Sequence, residues 1–339
     1  MKKSRKILII SVILLIFASG PVFSDTLEDL QSSVNSFSEN MAKALPFHST
    51  LGLNWSDAYI GKFTELPPHF GIGFSTGTTF MNIGSINQLT DMFDFDLPIN
   101  DLPVGFPLSA WALEARIGGF FLPFDIGLKF GYMDVGTDNV LFLDKLKMHL
   151  DYMLLGADIR YALITGKTLP LKLSVGLGFN YLKGGVSAPI PAGQSFDFND
   201  GGTNYTLKID DPRLGLLWET SCLEFKIHAS FPLVVITPYA GVGVSYAWSK
   251  TGYKIDADVT AENGGTPVSL DSVLTALRSF GITNVNENGF SQMLEVEGLN
   301  VRAFGGFSVN MTVIKLDITG MYNFLDSSWG FSMGARLQI

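Results

Sequence analysis

Residues able to do chemistry are scattered along this sequence rather than gathered into motifs. The four histidines, His48, His69, His149 and His228, lie far apart without HxH or HxxxH spacing. Zinc needs several converging ligands, so no metal site is expected. Asp197, Asn199, Asp200 and Gly201 look like the start of a calcium loop, but the spacing is wrong and Lys208 stands where the closing Glu belongs. A solvated acidic loop accounts for them better, as it does for Asp91, Asp94, Asp96 and Asp101 and for the pair Asp210 and Asp211, with weak cation attraction as their secondary property. His149 and Asp151 share a parity read as inward, and Asp91 or Asp94 could face them from a loop. Acid–base or nucleophilic catalysis needs its groups within hydrogen-bond reach, and no nucleophile motif accompanies this pair, so the chain is not expected to be an enzyme. Glycine-rich pieces recur as HFGIGFS, SVGLGFNY and YAGVGVSY, and none is a GxGxxG opening a helix. No cofactor is implied.

The remaining charges have a different regularity: they alternate with apolar residues. Leu171, Leu173, Val175, Leu177, Phe179 and Tyr181 share one parity against Lys172, Ser174, Gly176, Gly178 and Asn180, and Ile314, Leu316, Ile318, Tyr322 and Phe324 oppose Lys315, Asp317, Thr319 and Asn323. One face suits lipid and the other a polar interior, the signature of a transmembrane β-barrel. Read this way, Glu114, Arg116, Lys129, Asp158, Arg160, Lys226, Arg302, Lys315, Asp317 and Arg336 line a lumen, where charges must pair or stay hydrated. Gly71, Gly73 and Gly77 near the start of the barrel, with Gly330 and Gly334 near its end, would form a smooth inner wall once the barrel closes. Such a wall lets another segment approach the backbone closely.

The elements that must position these residues follow from composition and period. The chain has 339 residues, 47% apolar and 16% charged, which excludes disorder. It opens MKKSRK, runs apolar from Ile7 to Phe17, and carries Val22 and Ser24 ahead of a cut at Asp25, so 1–24 reads as a signal peptide. Loss of Lys2, Lys3, Arg5 and Lys6 takes the net charge from -9 to -13. An acidic chain without a basic cluster is a poor partner for nucleic acid. Cys222 is the single cysteine, so no intrachain disulfide can form. Within 25–68, Leu27, Leu30, Val34, Phe37, Met41 and Leu45 recur at spacings of three and four. They predict one amphipathic helix, read as resting on the periplasmic end of the barrel, with a plug in the lumen as the alternative.

The barrel proper is assigned to 69–339, as an all-β antiparallel structure of about ten strands in a range of about 8–14. The strands fall at 70–81, 111–121, 124–133, 146–163, 171–182, 214–231, 235–249, 293–311, 313–324 and 329–339. The uncharged stretch Phe231–Ser249 is long enough for a helix, yet Pro232, Pro238 and the alternation of Val242, Val244, Tyr246 and Trp248 with small residues favour strand. In the fourth strand the apolar parity changes, which predicts a bulge near Leu154 to Gly156. Short connections alternate with long ones at 82–110, 134–145, 183–213 and 250–292. Outer-membrane barrels have this pattern, with short periplasmic turns and long external loops. Tyr132, Tyr181, Tyr246, Trp248, Tyr322 and Trp329 then gather at the external strand ends, where a barrel wall meets water. Leu270, Val273, Leu274, Leu277 and Phe280 predict a short helix in the last long loop.

The chain ends Ser332, Met333, Gly334, Ala335, Arg336, Leu337, Gln338, Ile339. With Ser332, Gly334, Leu337 and Ile339 at its defining positions, this resembles the terminal-strand signal of outer-membrane barrels, with Ile339 in place of the more usual Phe. The resemblance implies delivery to the barrel-assembly machinery. The segments GLNWSDAYIG and PPHFGIGFSTG look like those of spirochaete outer-membrane barrels, and a segment preceding a barrel is similar to FadL-type channels for hydrophobic substrates. The expectation is therefore an outer-membrane protein in contact with lipid, monomeric, forming a narrow channel for small or hydrophobic solutes. The competing class is a surface-exposed adhesin or receptor acting through its long loops.

Overall fold

The computed structural model describes residues 26–81, 105–136, 149–166, 169–189, 194–200, 203–263, 266–268, 285–286 and 289–339. One helix, α1 (Thr26–Ser49), precedes ten wall strands: β1 (Phe70–Met81), β2 (Phe106–Gly118), β3 (Phe124–Gly136), β4 (His149–Thr165), β5 (Lys172–Pro189), β6 (Thr203–Ser230), β7 (Ile236–Asn263), β8 (Gly289–Met311), β9 (Ile314–Asn323) and β10 (Trp329–Gln338). Each pairs antiparallel with its neighbours in sequence, and β1 pairs with β10 from Gly71↔Gln338 to Phe80↔Trp329, closing a ten-stranded barrel. Closure leaves no edge strand in the wall, the condition a bilayer imposes, and where β2 departs from β3 the Tyr152 hydroxyl serves the Trp111 backbone. Shorter strands at Gln194–Asp200, Thr266–Pro267 and Val285–Asn286 attach to the projecting ends of β6, β7 and β8. The Phe231–Ser249 stretch is the turn after β6 and the first half of β7.

Alternation sorts the side chains. On β1, Ile72 and Phe74 are exposed while Ser75 and Thr79 are buried; on β3, Ile126, Leu128 and Phe130 point out while Asp125 and Lys129 point in. The exposed apolar residues form a belt that runs on β9 and β10 from Ile314 and Leu337 at one end to Tyr322 and Trp329 at the other. Short turns and the pairing of Phe70 with Ile339 lie at the first end, which makes it periplasmic. Tyr132, Tyr246, Trp248, Tyr322 and Trp329 mark the outer end on the exposed face, and Tyr181 lies partly buried beside them, its hydroxyl donating to Glu219.

Two local expectations are corrected. The wall register through Leu154–Gly156 is unbroken on both sides, and the irregularity in β4 lies between Ala162 and Ile164. Tyr152 and Leu154 are apolar and face inward because the outer half of the lumen is itself apolar, so the change of parity there is not a bulge. With even residues of β4 inward, His149 and Asp151 stand on the outward parity, and His149 Nε2 is 3.0 Å from Asp134 Oδ1 at the outer rim. Burial raises the Asp151 carboxyl above its ordinary range, the His149 ring opposing and Asp134 adding to the shift. Asp91, Asp94, Asp96, Asp101, Gly201 and the 270–280 segment lie outside the described residues. Asp197, Asn199 and Asp200 belong to a strand paired with β6 rather than to a calcium-type loop.

Candidate functional site: the filled lumen

The lumen is occupied by the chain's own N-terminal segment. The helix is not a periplasmic appendage: from Ser38 to Ile60 the chain lies inside the barrel, and every residue from Ala44 to Ile60 is buried. The path can be followed contact by contact. At the periplasmic end the Ile60 amide donates to Asp125 Oδ2 at 3.1 Å, next to the turn between β2 and β3. Trp55 lies over Gly71, Leu51 over Gly77, and His48 Nδ1 is 2.7 Å from Thr79 Oγ1, so falling residue number means rising height along β1. Higher still, Asn300 Nδ2 approaches the Lys43 carbonyl at 3.5 Å and Thr251 Oγ1 donates to the Ser38 carbonyl at 2.5 Å.

The lower half of this plug is held by charge. Asp57 accepts from Lys172 Nζ at 3.3 Å, Arg336 Nη2 at 3.1 Å and Gln338 Nε2 at 3.2 Å, and it also pairs closely with Lys315. Three cations around one buried carboxylate repay its desolvation, which a single partner does not always do. Arg160 Nη1 donates to the Asp57 carbonyl at 2.7 Å, and Lys172 Nζ to the Tyr59 carbonyl at 2.9 Å. Beside them Asp125 receives Arg116 at 2.6 Å and Arg160 at 2.8 Å, while Asp158 receives Arg116 at 2.7 Å and Lys226 at 2.7 Å. Trp55 is gripped on several sides: its indole N–H donates to Glu114, and the guanidinium of Arg336 lies 4.8 Å from its ring. A small cavity beside it is lined in part by Glu114, Asp317 and Thr319. Arg336 also pairs with Asp317 and donates to Ser56 Oγ at 2.7 Å. Arg302 joins Glu224 at 2.6 Å to Asn54 Oδ1 at 3.1 Å.

The middle of the plug closes the end of α1. Lys129 Nζ donates to the carbonyls of Ser49 at 2.7 Å and Leu51 at 2.6 Å. A cation is favourable at a helix C-terminus, where carbonyls lack helical partners. Ser49 Oγ sits 3.3 Å from Cys222 Sγ, and Phe47 packs with Tyr239, Phe304 and Met321. From this level upward contacts turn apolar: Leu51, and above it Met41, Ala44 and Leu45, share one cluster with Met81, Leu108, Ala112, Tyr152, Leu154 and Trp218.

All ten residues predicted to line the lumen point inward. Glu114, Arg116, Lys129, Asp158, Arg160, Lys226, Arg302, Asp317 and Arg336 are buried, and Lys315 keeps 15% of its side chain exposed. Seven of them, Glu114, Lys129, Arg160, Arg302, Lys315, Asp317 and Arg336, bond the plug directly, and Arg116, Asp158 and Lys226 form the ion-pair layer beside it. Of the glycine wall, Gly71 and Gly77 make room for Trp55 and Leu51, residues beyond the end of α1; the helix itself leans on β6, β7 and β8. At Gly73, Gly330 and Gly334 an added Cβ would meet the wall itself. Ser332 and Gly334 face inward, while Leu337 and Ile339 are exposed on the lipid side. The histidines stand apart: His48 against Thr79, His228 between Tyr239 and Phe304, His69 near Glu65, and His149 near Asp134.

Sequence reasoning missed Asp57, Asp125 and Glu224, and it set Lys172 on the polar face of its strand without counting it among the lumen charges. Lys172 and Glu224 share the inward parity of strands already drawn, so parity alone was a sufficient signal for them. Asp125 begins β3 right after a turn, and Asp57 lies in a segment without period.

A closed antiparallel barrel with an apolar belt outside and charged residues within is an outer-membrane β-barrel. The chain belongs to the Lsa36-like family, whose model matches residues 23–339. Among solved structures it is similar to a major outer membrane protein from Thermus thermophilus, at 11% identity and a TM-score of 0.32, covering 80% of this chain and 99% of that one. It is similar to the outer membrane protease OmpT from Escherichia coli at 9% identity and a TM-score of 0.38, covering 80% and 97%. The attachment invasion locus protein Ail of Yersinia pestis shares 8% identity with a TM-score of 0.28, again over 80% and 97%. No curated protein matches the chain.

Proposed function

We propose that this protein is a sealed outer-membrane barrel that works as a surface-binding protein, its external strand extensions carrying the binding surface. The observation that supports this most is the lumen: from Ala44 to Ile60 it holds buried chain, fixed by ion pairs below and apolar packing above. A solute path would have to displace both. The outer end, by contrast, is built up. Ser221 of β6 pairs with Trp248 of the aromatic boundary, so residues 203–220 rise beyond it, about 60 Å along the strand at roughly 3.3 Å per residue. β7 and β8 continue with it, and their outward faces turn charged there, with Lys250 paired to Glu295 at 2.7 Å. β9 and β10 have 10 residues each, about what crossing a bilayer requires. This reading assigns no catalytic role, takes the chain as exported with its first 24 residues removed and delivered through the assembly machinery, and makes lipid its standing partner.

The narrow channel is the second reading, favoured by the polar character of the lower plug, which could be released into water. Planar-bilayer recording of the refolded protein separates the two. The sealed reading expects no discrete openings, together with binding to a decellularised extracellular matrix that is lost when the strand ends 203–213 and 250–263 are replaced by a short turn. Regular openings in the intact protein, or matrix binding untouched by that replacement, would count against it.

A further inference from the structure

We infer that α1 runs outward through the barrel, so that its N-terminal end is presented on the outer side of the membrane. A helix that merely rests in a pore could enter from either mouth. Here the order of contacts fixes the direction. Phe70 starts at the periplasmic end beside Ile339, and the preceding residues contact in turn Asp125, Gly71, Gly77 and Thr79, climbing the wall. The Ser38 carbonyl is held by Thr251, which lies three residues past Trp248, the aromatic marker of the outer boundary. The helix then continues for the twelve residues 26–37, about 18 Å at 1.5 Å per residue. Its upper part also has a wet face. Ser36, Glu39 and Lys43 recur at helical spacing and are exposed, with Glu39 and Lys43 half-exposed and 2.6 Å apart, whereas Met41, Ala44 and Leu45 on other faces are buried. That face is therefore open to solvent toward the outer mouth of the barrel.

The inference is independent of what the outer surface binds. It does mean that the N-terminal chain must pass through or be folded into the lumen as the barrel closes, since β1, the strand that follows the plug, is also the closing partner of β10. In a Cys222→Ser background, Ser36→Cys should react with a membrane-impermeant maleimide on intact cells, while Glu65→Cys, exposed on the periplasmic side, should react only after the outer membrane is permeabilised. An epitope inserted between Asp25 and Thr26 should be reached by antibody on the same intact cells. Heat-modifiable gel mobility identifies correctly assembled variants before the comparison is made. Labelling of Ser36→Cys only after permeabilisation, or only after unfolding, would overturn the inference, and so would an epitope detected only in lysed cells.

Discussion

Asp57 is the residue on which the plug depends most, because Lys172, Lys315 and Arg336 all converge on one carboxylate that is 2% exposed. Removing one member of a buried ionic cluster costs more than the cluster contributes, since the others stay buried and unpaired. Asp57→Asn should therefore lower stability by about 3–5 kcal/mol, the range for breaking a buried pair, seen as a lower urea midpoint by tryptophan fluorescence in detergent. An unchanged midpoint would mean that water already serves those cations. Gly77 offers a steric test of the same seat: a Cβ there would come 2.9 Å from Leu51 Cδ1 and 2.5 Å from the Phe331 carbonyl. Gly77→Leu should cost on the order of 1–3 kcal/mol, as overpacking does, and should make the 38–60 segment a substrate for added protease in the refolded protein.

Within α1, the lower end of the helix divides into faces with different duties. Leu45 is fully buried in the apolar collar, whereas Lys43 reaches water and pairs with Glu39 one turn away. Leu45→Ala should lower stability by about 2–5 kcal/mol. Lys43→Ala should change it by less than about 0.5 kcal/mol, because an exposed i,i+4 pair contributes little. Thermal unfolding of the two variants in the same detergent reads the contrast. The elements opposite the helix explain its seat: it leans on β6, β7 and β8, which are 28, 28 and 23 residues long and run beyond the ends of the 10-residue β9 and β10.

At the scale of the molecule the barrel wall and plug are complementary in charge. Among the described residues, Arg116, Lys129, Arg160, Lys172, Lys226, Arg302, Lys315 and Arg336 face five wall carboxylates, Glu114, Asp125, Asp158, Glu224 and Asp317, and the plug adds Asp57 and the carbonyls at the end of α1. A barrel refolded without residues 26–60 should thus conduct, and its positive lumen should favour anions. A reversal potential in a potassium chloride gradient measures this; cation preference would show that other groups neutralise the wall.

How much of this was legible beforehand differs by level. Period-two alternation reveals each wall strand because lipid on one side and a polar interior on the other impose opposite demands on successive residues. The same parity marked the inward charges, and helical spacing marked α1. Chain order and short turns sufficed for the strand sequence, since neighbours in a barrel are neighbours in sequence. What alternation could not carry was the plug. Residues 50–60 form no repeating element, so Trp55 and Asp57 had no period to betray that they face Arg336 and Lys315. Inward Tyr152 and Leu154 mimicked a break in register because their apolar partner, Met41 or Leu45, lies more than a hundred residues away in sequence. Local pattern determined the wall. What filled it, and which way the filling chain ran, depended on long-range pairing of buried charges and apolar side chains that only the folded barrel brings together.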